Sequence, residues 1–279
     1  MTATEAVPVS VIVPYYRGEA YLSRLATTLA GQGVEEVVVV VDGGEGLASV
    51  RSALATIPRA TVVATPAALG TAGARNFGAS LATNEWITFL DQDDWWPEGF
   101  IGQLAKQASG DVVAYDNDIY VENEIGEVTR AETTVFERAG WTRNAVSPAA
   151  AGELLSGFPM VKLLLRRDAF LRVGGYRPQV YAIEDFDLVW RLLAIGLNIS
   201  FVREPRGSYL VRPDSITGQV SRGDYSAALR AQGSWVGVWL RFSSARTFPV
   251  AARRRAASKA AVHAAKYARL LVKRALRRR

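Results

Sequence analysis

The sequence predicts an α/β fold in which a central sheet is flanked by helices. Short runs of apolar, β-branched residues alternate with stretches of helical spacing. Several of these runs, such as 36–41, are almost wholly apolar, which is typical of strands buried on both faces of a parallel sheet. A chain of 279 residues, 49% of them hydrophobic, is long enough to bury one sizeable core.

Strands and helices alternate over the first 115 residues. Strands are predicted at 9–13, 36–41, 61–64, 86–90 and 112–115. Helices are predicted at 20–30 and 97–108, and residues 70–81 are predicted as a loop that enters a helix. Two of these strands end at an aspartate, Asp42 and Asp91. Because ligands bind beyond the carboxyl ends of strands in such sheets, both aspartates are candidates for a single site.

The second half of the chain has a less regular pattern. Residues 120–156 predict loops and short strands that face a substrate. Residues 184–196 begin with acids and end with glycine, which are the start and stop signals of a helix. Residues 251–279 contain no helix breaker and predict a long helix.

The composition excludes several kinds of active site. There is no cysteine, so neither a disulfide nor a thiolate metal site is possible. The one histidine, His263, lies in the basic tail, which argues against histidine zinc sites and Ser/His/Asp triads. Proton transfer therefore falls to carboxylates, lysine or tyrosine. The N-terminus lacks the features of a signal peptide and no apolar run approaches about 20 residues, so we expect a cytoplasmic protein.

The net charge of +6 comes from the C-terminal tail. Residues 250–279 hold eleven Lys or Arg and no acid, which leaves 22 basic against 27 acidic residues before them. An acidic body does not favour nucleic acid as a partner. On the predicted tail helix, one face carries Lys259, Lys266, Lys273 and Arg277, with Ala264, Ala268, Leu271 and Ala275 roughly opposite. Such a helix suits either an anionic membrane surface or free solution, including contact with the acidic body.

The densest cluster of chemistry-bearing residues is the acidic sequence 91–94. Like charges this close resist joint ionisation unless something offsets them, and a divalent cation with a phosphate behind it does so. If the segment is extended, Asp91 and Asp93 point to one side and can bind Mg²⁺ or Mn²⁺, while Gln92 points away. The alternative is an acidic surface turn in which Asp94 caps the helix after Pro97.

Six short motifs come in the order seen in family 2 glycosyltransferases of GT-A fold, and the chain resembles that family over about residues 8–217. The motifs lie at 9–16, 42–43, 73–78, 89–94 with Pro97, 173–176 and 184–188. The resemblance implies a GT-A type, Rossmann-like mixed sheet flanked by helices. It also implies a glycosyltransferase domain at 1–222, with a nucleotide-sugar half at about 8–115 and an acceptor half at about 116–222. Residues 223–279 would form a helical, basic C-terminal extension.

On the donor side, the resemblance implies that Asp42 contacts the nucleotide base, for which a carboxylate suits the imide N–H of uracil. Pro14 and Tyr16 would line the same base pocket. Asp91 would approach the ribose or the sugar.

The same resemblance assigns the charged groups around the diphosphate. Asp93 would hold the metal ion, with Asp91 as a second metal ligand, and Arg75 would lie near the nucleotide. Asp185 would be the general base that takes the proton of the acceptor hydroxyl. The alternative for Asp185 is an acidic first turn that complements the helix dipole.

Three departures from the family pattern bear on these roles. The family often has two aspartates before the glycine: Val41 replaces the first, Asp42 is the second, and Gly44 replaces the usual serine. The contact with the base is therefore kept but expected to be looser. Arg212 stands where the family has a histidine, and because arginine does not ligate metals it would pair with the diphosphate or lie on the surface. The Gln-x-x-Arg-Trp motif of processive synthases is absent from the sequence, which disfavours a membrane-embedded polymerase.

The function implied is that of a metal-dependent inverting glycosyltransferase. It would move a sugar from a nucleoside-diphosphate sugar, with UDP favoured, to a glycan or lipid-linked acceptor in cell-surface glycan or glycolipid synthesis. The tail at 250–279 would place it peripherally at the inner face of the membrane. Two alternatives remain: a catalytically silent nucleotide-sugar binding protein of the same fold, and a sugar nucleotidyltransferase. The second fits poorly because residues 14–18 do not form a glycine-rich phosphate loop.

Overall fold

The computed structural model describes residues 7–108, 110–156 and 162–276. Within these ranges one mixed sheet has nine strands in the order β3-β2-β1-β4-β8-β5-β9-β7, with β6 paired to β5. The strands are β1 (Val7–Tyr15), β2 (Val34–Val41), β3 (Ala60–Ala64), β4 (Trp86–Phe89), β5 (Val112–Glu122), β6 (Val128–Arg130), β7 (Ala145–Val146), β8 (Lys162–Arg166) and β9 (Ile199–Val211).

Helices cover both faces of this sheet. They are α1 (Leu22–Ala30), α2 (Leu47–Ala53), α3 (Gly70–Leu81), α4 (Phe100–Gln107), α5 (Val135–Arg138), α6 (Arg167–Arg172), α7 (Glu184–Ala194), α8 (Ile216–Ser221), α9 (Tyr225–Ser244) and α10 (Val250–Leu276). Short 3₁₀ helices lie at Glu19–Tyr21 and Pro148–Ser156.

The first four strands are parallel and confirm the α/β prediction. In β1, alternate residues enter opposite cores: Ile12 packs on one face of the sheet, and Val11 and Val13 on the other. Period-two alternation with apolar residues on both faces is what a doubly covered sheet requires. This arrangement brings the carboxyl ends of β1, β2 and β4 to one edge, where Asp42 and Asp91 follow their strands.

Helix α3 lies close against β1 and β2, and Gly78 permits the contact. A Cβ at Gly78 would stand 2.5 Å from Cγ2 of Ile12 and 3.2 Å from Cγ2 of Val40. Because real Cβ atoms do not approach carbon so closely, any side chain here would push α3 away from the sheet. The glycine therefore fixes the depth at which α3 carries Arg75.

The sequence patterns missed two strands. β8 runs antiparallel between β4 and β5, with Thr88 opposite Leu164, and β9 is a parallel neighbour of β5. The region 120–156, predicted as loops and short strands, contains the end of β5, then β6, α5 and β7. β8 matters most for the site, because its first residue, Lys162, lies beside the acidic residues after β4.

The C-terminal helices α9 and α10 share a core with the sheet domain. Trp239 of α9 packs edge-on against Trp190 of α7, with ring centroids 5.9 Å apart. A stripe of alanines on α10, Ala252, Ala256 and Ala260, is buried. His263 stacks on Trp235 and hydrogen-bonds Gln232 at 2.8 Å. The division at 222/223 stays a prediction, and residues 1–6 and 277–279, including Arg277, lie outside the described residues.

Beyond Ala260, α10 still contacts α9 through His263 and Tyr267, but most of its side chains face solvent. Most of its residues from 261 to 276 are exposed, among them Val262, Leu271, Val272 and Leu276. Its basic residues in this part are exposed as well: Lys266, Arg269, Lys273 and Arg274. None of the helices that the structure describes is long and apolar enough to cross a membrane.

Candidate active site

The acidic residues after β4 form a turn rather than an extended segment, so the prediction of an extended segment was wrong. The backbone N–H of Asp94 donates to the carbonyl of Asp91 at 3.0 Å and closes the turn. As a result Gln92 does not point away: Asp91, Gln92 and Asp93 line the same cavity. The Gln92 amide exchanges two hydrogen bonds with the backbone of Tyr16, at 2.7 and 2.9 Å, and ties the turn to the end of β1.

Asp91 is held between two cations. Nη2 of Arg75 donates to Oδ1 at 2.6 Å, and the Nζ of Lys162 donates to Oδ2. Burial opposes the charged carboxylate, but the charges of Arg75 and Lys162 outweigh it and lower the pKa of Asp91. Because both oxygens have cationic partners, Asp91 is poorly placed as the second metal ligand that the sequence predicted.

Asp94 points inward and anchors the same lysine. Lys162 lies 3.3 Å from Oδ2 of Asp94, and the N–H of Leu210 donates to Oδ1 at 3.0 Å. Burial raises the pKa of Asp94 to about 7, and the charges of Asp91 and Asp93 add to this rise. The charge of Lys162 opposes it. Asp94 thus joins the turn to β8 and β9, and it does not cap α4, whose N-cap is Gly99.

Asp93 faces the cavity beside Arg212. Nε of Arg212 donates to Oδ2 of Asp93 at 2.7 Å, and Nη1 donates to Asp214 at 3.1 Å. Burial and the charge of Asp91 raise the pKa of Asp93, against the charge of Arg212. Besides Arg212 and the backbone N–H of Asp93 itself, no donor among the described residues binds this carboxylate, so Oδ1 remains accessible to a ligand. Arg212 therefore occupies the position of the family's histidine as a partner of the carboxylate, not as a ligand.

Arg75 is the buried link between the turn and helix α7. It is 3% exposed, and besides Asp91 its guanidinium lies 3.4 Å from Glu184 and 3.8 Å from Asp185. The face of the guanidinium lies 5.0 Å from the ring centre of Tyr176. Its Nε has no hydrogen-bond acceptor within the described ranges. Three carboxylates thus converge on one guanidinium at the bottom of the site.

Asp185 lies in the first turn of α7, where the helix dipole favours an anion. The segment before it is under backbone strain, since Ala182 has φ +64°, a left-handed conformation that costs a non-glycine residue energy. Burial and the charge of Asp185 raise the pKa of the neighbouring Glu184. The preceding loop is fixed by Asn76, whose side chain exchanges hydrogen bonds of 2.7 and 2.8 Å with the backbone of Tyr176.

Asp42 is buried at the N-terminus of α3. Its carboxylate accepts hydrogen bonds from the Thr65 hydroxyl at 2.9 Å and from the N–H groups of Leu69 and Gly70 at 2.7 and 2.8 Å. These donors fix its orientation at the end of β2. Oδ2 accepts only the Gly70 bond among the described residues, so one lone pair remains for a ligand N–H.

Two adjoining cavities meet at this cluster. The donor cavity, of about 500 Å³, is lined by all seven residues that the sequence predicted to bind donor or metal: Pro14, Tyr16, Asp42, Arg75, Asp91, Asp93 and Arg212. The acceptor cavity, of about 550 Å³, is lined by Asp185 and by the ends of β5 and β9. Arg75, Asp91 and Glu184 line both cavities. Asp185 therefore lies on the other side of Arg75 and Glu184 from the donor cavity.

The donor cavity fits a divalent cation that is shared with a diphosphate. Among the described residues, the cations Arg75, Lys162 and Arg212 form ion pairs with six carboxylates, so an anionic diphosphate would meet net negative charge. The six are Asp91, Asp93, Asp94, Glu184, Asp185 and Asp214. No group of three or more metal-ligating acids or histidines is found within the described ranges. However, Mg²⁺ is commonly held by one or two carboxylates and completed by phosphate oxygens and waters. Oδ1 of Asp93 supplies such an oxygen.

Lys162 and Glu184 were missed as site residues. Lys162 lies 71 positions from Asp91, and nothing in its local sequence marks it as functional. Glu184 was seen only as part of an acidic helix start. Trp96 is buried and stacks on Phe100, with ring centroids 5.4 Å apart. Trp95 lies under the guanidinium of Arg24, 4.3 Å from its ring centre.

Comparison with known proteins decides the family. The model of the family described as glycosyl transferase family 2 matches residues 10–171. The chain belongs to glycosyltransferase family 2. This match spans β1 to α6 and includes the turn at 91–94, while the segment with Asp185 lies beyond it.

Curated relatives are also glycosyltransferases or glycan-synthesis proteins. The succinoglycan biosynthesis protein ExoU of Rhizobium meliloti is 30% identical over 230 residues, covering 78% of this chain and 66% of that protein. Pre-mycofactocin glycosyltransferase of Mycobacterium tuberculosis is 26% identical over 193 residues, covering 69% of this chain. The chain spans only 40% of the length of the latter relative.

Solved structures of low sequence identity confirm the GT-A fold. TarS of S. aureus in complex with UDP-GlcNAc has a TM-score of 0.60 at 16% identity, covering 97% of this chain and 91% of that one. The mannosyltransferase PcManGT of Pyrobaculum calidifontis, in complex with GDP-Man and Mn²⁺, has a TM-score of 0.60 at 19% identity, covering 98% and 81%. This glycosyltransferase therefore shares its fold with two proteins whose structures contain a bound nucleotide sugar.

Lys162→Met is expected to lower the free energy of unfolding by about 3 kcal/mol, because removing one partner of a buried ion pair leaves uncompensated carboxylates. Lys106→Met removes an exposed lysine of α4 and should change stability by less than about 0.5 kcal/mol. Urea unfolding followed by tryptophan fluorescence measures both variants. Equal stability of the two would show that Lys162 does not neutralise Asp91 and Asp94.

Proposed function

We propose that this chain is a metal-dependent, inverting glycosyltransferase that moves a sugar from a nucleoside-diphosphate sugar to a hydroxyl acceptor. The observation that carries the proposal is the meeting of two cavities at Arg75, with Asp93 on the donor side and Asp185 on the acceptor side. That arrangement supports a leaving group and a proton acceptor on opposite sides of one reacting carbon.

On the donor side, Asp42 receives the base and Pro14 and Tyr16 line its pocket. A uracil imide N–H suits the remaining lone pair of Asp42, so UDP-sugars are the favoured donors. Asp91, fixed by Arg75 and Lys162, is oriented to accept hydrogen bonds from ribose or sugar hydroxyls.

Asp93 would hold Mg²⁺ or Mn²⁺ against the diphosphate. When bound, the ion neutralises the charge that develops on the departing diphosphate. Arg212, at 2.7 Å from Asp93, lies where it supplies a second, fixed positive charge toward the same group.

On the acceptor side, Asp185 acts as the general base. It accepts the proton of the acceptor hydroxyl while that oxygen attacks the anomeric carbon. The bond from this carbon to the diphosphate oxygen breaks, and its electron pair leaves with the nucleoside diphosphate. Attack and departure occur on opposite faces of the carbon, which inverts its configuration.

A panel of nucleotide sugars tests this function. Each donor is incubated with the protein and Mn²⁺ or Mg²⁺, and hydrolysis of the donor and thermal stabilisation are recorded. We expect at least one donor, most readily a UDP-sugar, to stabilise the fold, and to do so more strongly when metal is present. If none of the donors binds with either metal, the proposed function is wrong.

The setting we propose is cell-surface glycan or glycolipid synthesis at the cytoplasmic face of the membrane. Support comes from the succinoglycan relative and from the exposed second half of α10. That half combines basic side chains with exposed Leu271, Val272 and Leu276, the composition of a helix that binds an anionic surface.

The membrane contact predicts charge-dependent binding. Each Lys or Arg near an anionic surface contributes about 1 kcal/mol, so replacing three of them by Gln should weaken binding about a hundredfold. The replaced residues are Lys266, Arg269 and Lys273. Co-sedimentation with phosphatidylglycerol-containing vesicles measures the affinity.

A matched variant controls for net charge in this experiment. It replaces three exposed basic residues of the body by Gln: Arg51, Lys106 and Arg172. Binding of the control should fall much less, because the altered charges lie away from α10. Equal loss in the two triple variants would refute a specific role for α10.

A further inference from the structure

The floor of the acceptor cavity changes from polar to apolar along β5, in the direction away from Tyr115, which pairs with Lys162 of the charged cluster. β5 and β9 run parallel there, and Asn117, Ile119 and Val121 face the cavity at alternate positions. The register places Ile119 beside Tyr209 and Val121 beside Val211. From Asn117 to Val121 the strand rises about 13 Å, so the aliphatic end is more than one sugar ring away from the polar end.

The walls of this cavity are mostly aliphatic, and the Thr217 hydroxyl among them is hydrogen-bonded to the Tyr209 hydroxyl at 2.9 Å. Val135 and Ala139 contribute from α5 and the residue after it, and Ile216 from the start of α8. Sugar hydroxyls that lose water must find hydrogen-bond partners, and aliphatic side chains offer none. A saccharide therefore suits the end near Asp185, and an apolar group suits the other end.

One cation lies at this apolar end. Arg138 ends helix α5, which is fixed by a capping box between Thr134 and Glu137 and by the bond of 3.2 Å from the Phe136 N–H to Asp116. In the part of the chain that the structure describes, Arg138 has no ion-pair partner. A guanidinium on a fixed helix without a carboxylate partner suits a phosphate, which it can bind through two N–H groups.

The apolar surface continues out of the cavity. Val121 is 40% exposed at the rim, and Ile125, at the tip of the β5–β6 hairpin, is 81% exposed. The hairpin itself is ordered by Asn123, whose side chain accepts from the N–H groups of Ile125 and Glu127 at 3.1 and 2.9 Å. A chain longer than the cavity could contact the apolar side chains of Val121 and Ile125 where it leaves the cavity.

We propose that the acceptor is a lipid-linked saccharide. Its hydroxyl lies at Asp185, its apolar chain lies along Ile119, Val121 and Val211, and its phosphate binds Arg138. This inference rests on the proposed function and names the substrate class of the same site. It selects the lipid-linked acceptor over a free glycan, whose recognition would need polar groups along the whole cavity.

Calorimetric titration of the full chain with short amphiphiles, kept below their micelle concentrations, tests the proposal. The probes are octyl and methyl β-D-glucopyranoside, and decyl phosphate and inorganic phosphate. We expect each alkyl probe to bind at least about tenfold more tightly than its short counterpart, because several methylenes leave water. Equal affinities within each pair would overturn the proposal.

Variants locate this binding in the cavity. Val121→Ser should weaken both alkyl probes about tenfold, while Leu171→Ser, at a 45% exposed leucine of α6, should change neither. Arg138→Gln should weaken decyl phosphate and leave octyl glucoside unchanged, with Arg172→Gln as the control. If Val121→Ser or Arg138→Gln binds like the wild type, the assignment is wrong.

The same samples separate this inference from the proposed function. Nucleotide-sugar binding in the presence of Mn²⁺ is measured on the wild type and on each variant. Donor binding without any preference for alkyl probes would overturn the lipid-linked acceptor alone. If the wild type does not bind a nucleotide sugar, the proposed function is wrong, whatever its affinities for the alkyl probes.

Discussion

Asp185→Asn is expected to reduce transfer by about 10²- to 10⁴-fold while donor affinity stays close to that of the wild type. A positioned general base contributes a factor of this size, and the amide cannot accept the acceptor proton. The change preserves the shape of the side chain in the first turn of α7. Initial rates measure the loss of transfer, and calorimetric titration with the donor measures its affinity.

Glu184→Gln is the matched control for this variant. It removes the same charge from the same guanidinium, since Glu184 and Asp185 lie 3.4 and 3.8 Å from Arg75. We expect a much smaller loss of transfer, because only Asp185 is assigned the proton. Comparable losses in the two variants would indicate an electrostatic role for the pair. Full activity in Asp185→Asn would remove Asp185 from catalysis. Donor binding without any transfer in the wild type would instead favour the catalytically silent binding protein.

Asp93→Asn is expected to abolish the dependence of donor binding on Mn²⁺. Metal and nucleotide that share a site raise each other's affinity by about 5- to 150-fold. Without the carboxylate this coupling should disappear, so affinities measured with Mn²⁺ and with EDTA should become equal. Calorimetric titration of UDP under both conditions, on wild type and variant, measures the change without relying on activity.

Asp214→Asn controls for the altered surroundings of Arg212. Arg212 donates to both aspartates, at 2.7 Å to Asp93 and 3.1 Å to Asp214, so each variant removes the charge of one of its two carboxylate partners. Only the Asp93 change removes the proposed metal ligand, and the Asp214 variant should keep the coupling. Metal coupling that persists in Asp93→Asn would contradict the assignment of Asp93.

The parallel half of the sheet could be predicted because its strands are apolar on both faces. The run 36–41 and the core of β1 can be predicted as strands from their own residues, without knowledge of the neighbouring strands. β9 was missed because its sequence mixes apolar with charged residues, including Arg203, Glu204 and Arg206, so its strand character depends on pairing with β5. β8 was missed for the related reason that only neighbours on both sides make it a strand.

The site shows the same limit. Residues at strand ends, such as Asp42 and Asp91, could be predicted to share a site from the topology of α/β sheets alone. Lys162 could not, because its role depends on β8 lying between β4 and β5. The turn at 91–94 was wrongly predicted as extended, since local sequence does not reveal the hydrogen bonds of Gln92 to Tyr16.

The central claim is that the cavity between Asp42 and Asp93 binds a nucleoside diphosphate together with a divalent cation. The most direct measurement is the calorimetric titration of UDP and of GDP into the wild-type protein, with Mn²⁺ and with EDTA. The account predicts saturable binding of one nucleotide per chain, with UDP favoured, that weakens about 5- to 150-fold when the metal is removed. If neither UDP nor GDP binds in the presence of Mn²⁺, the account is contradicted.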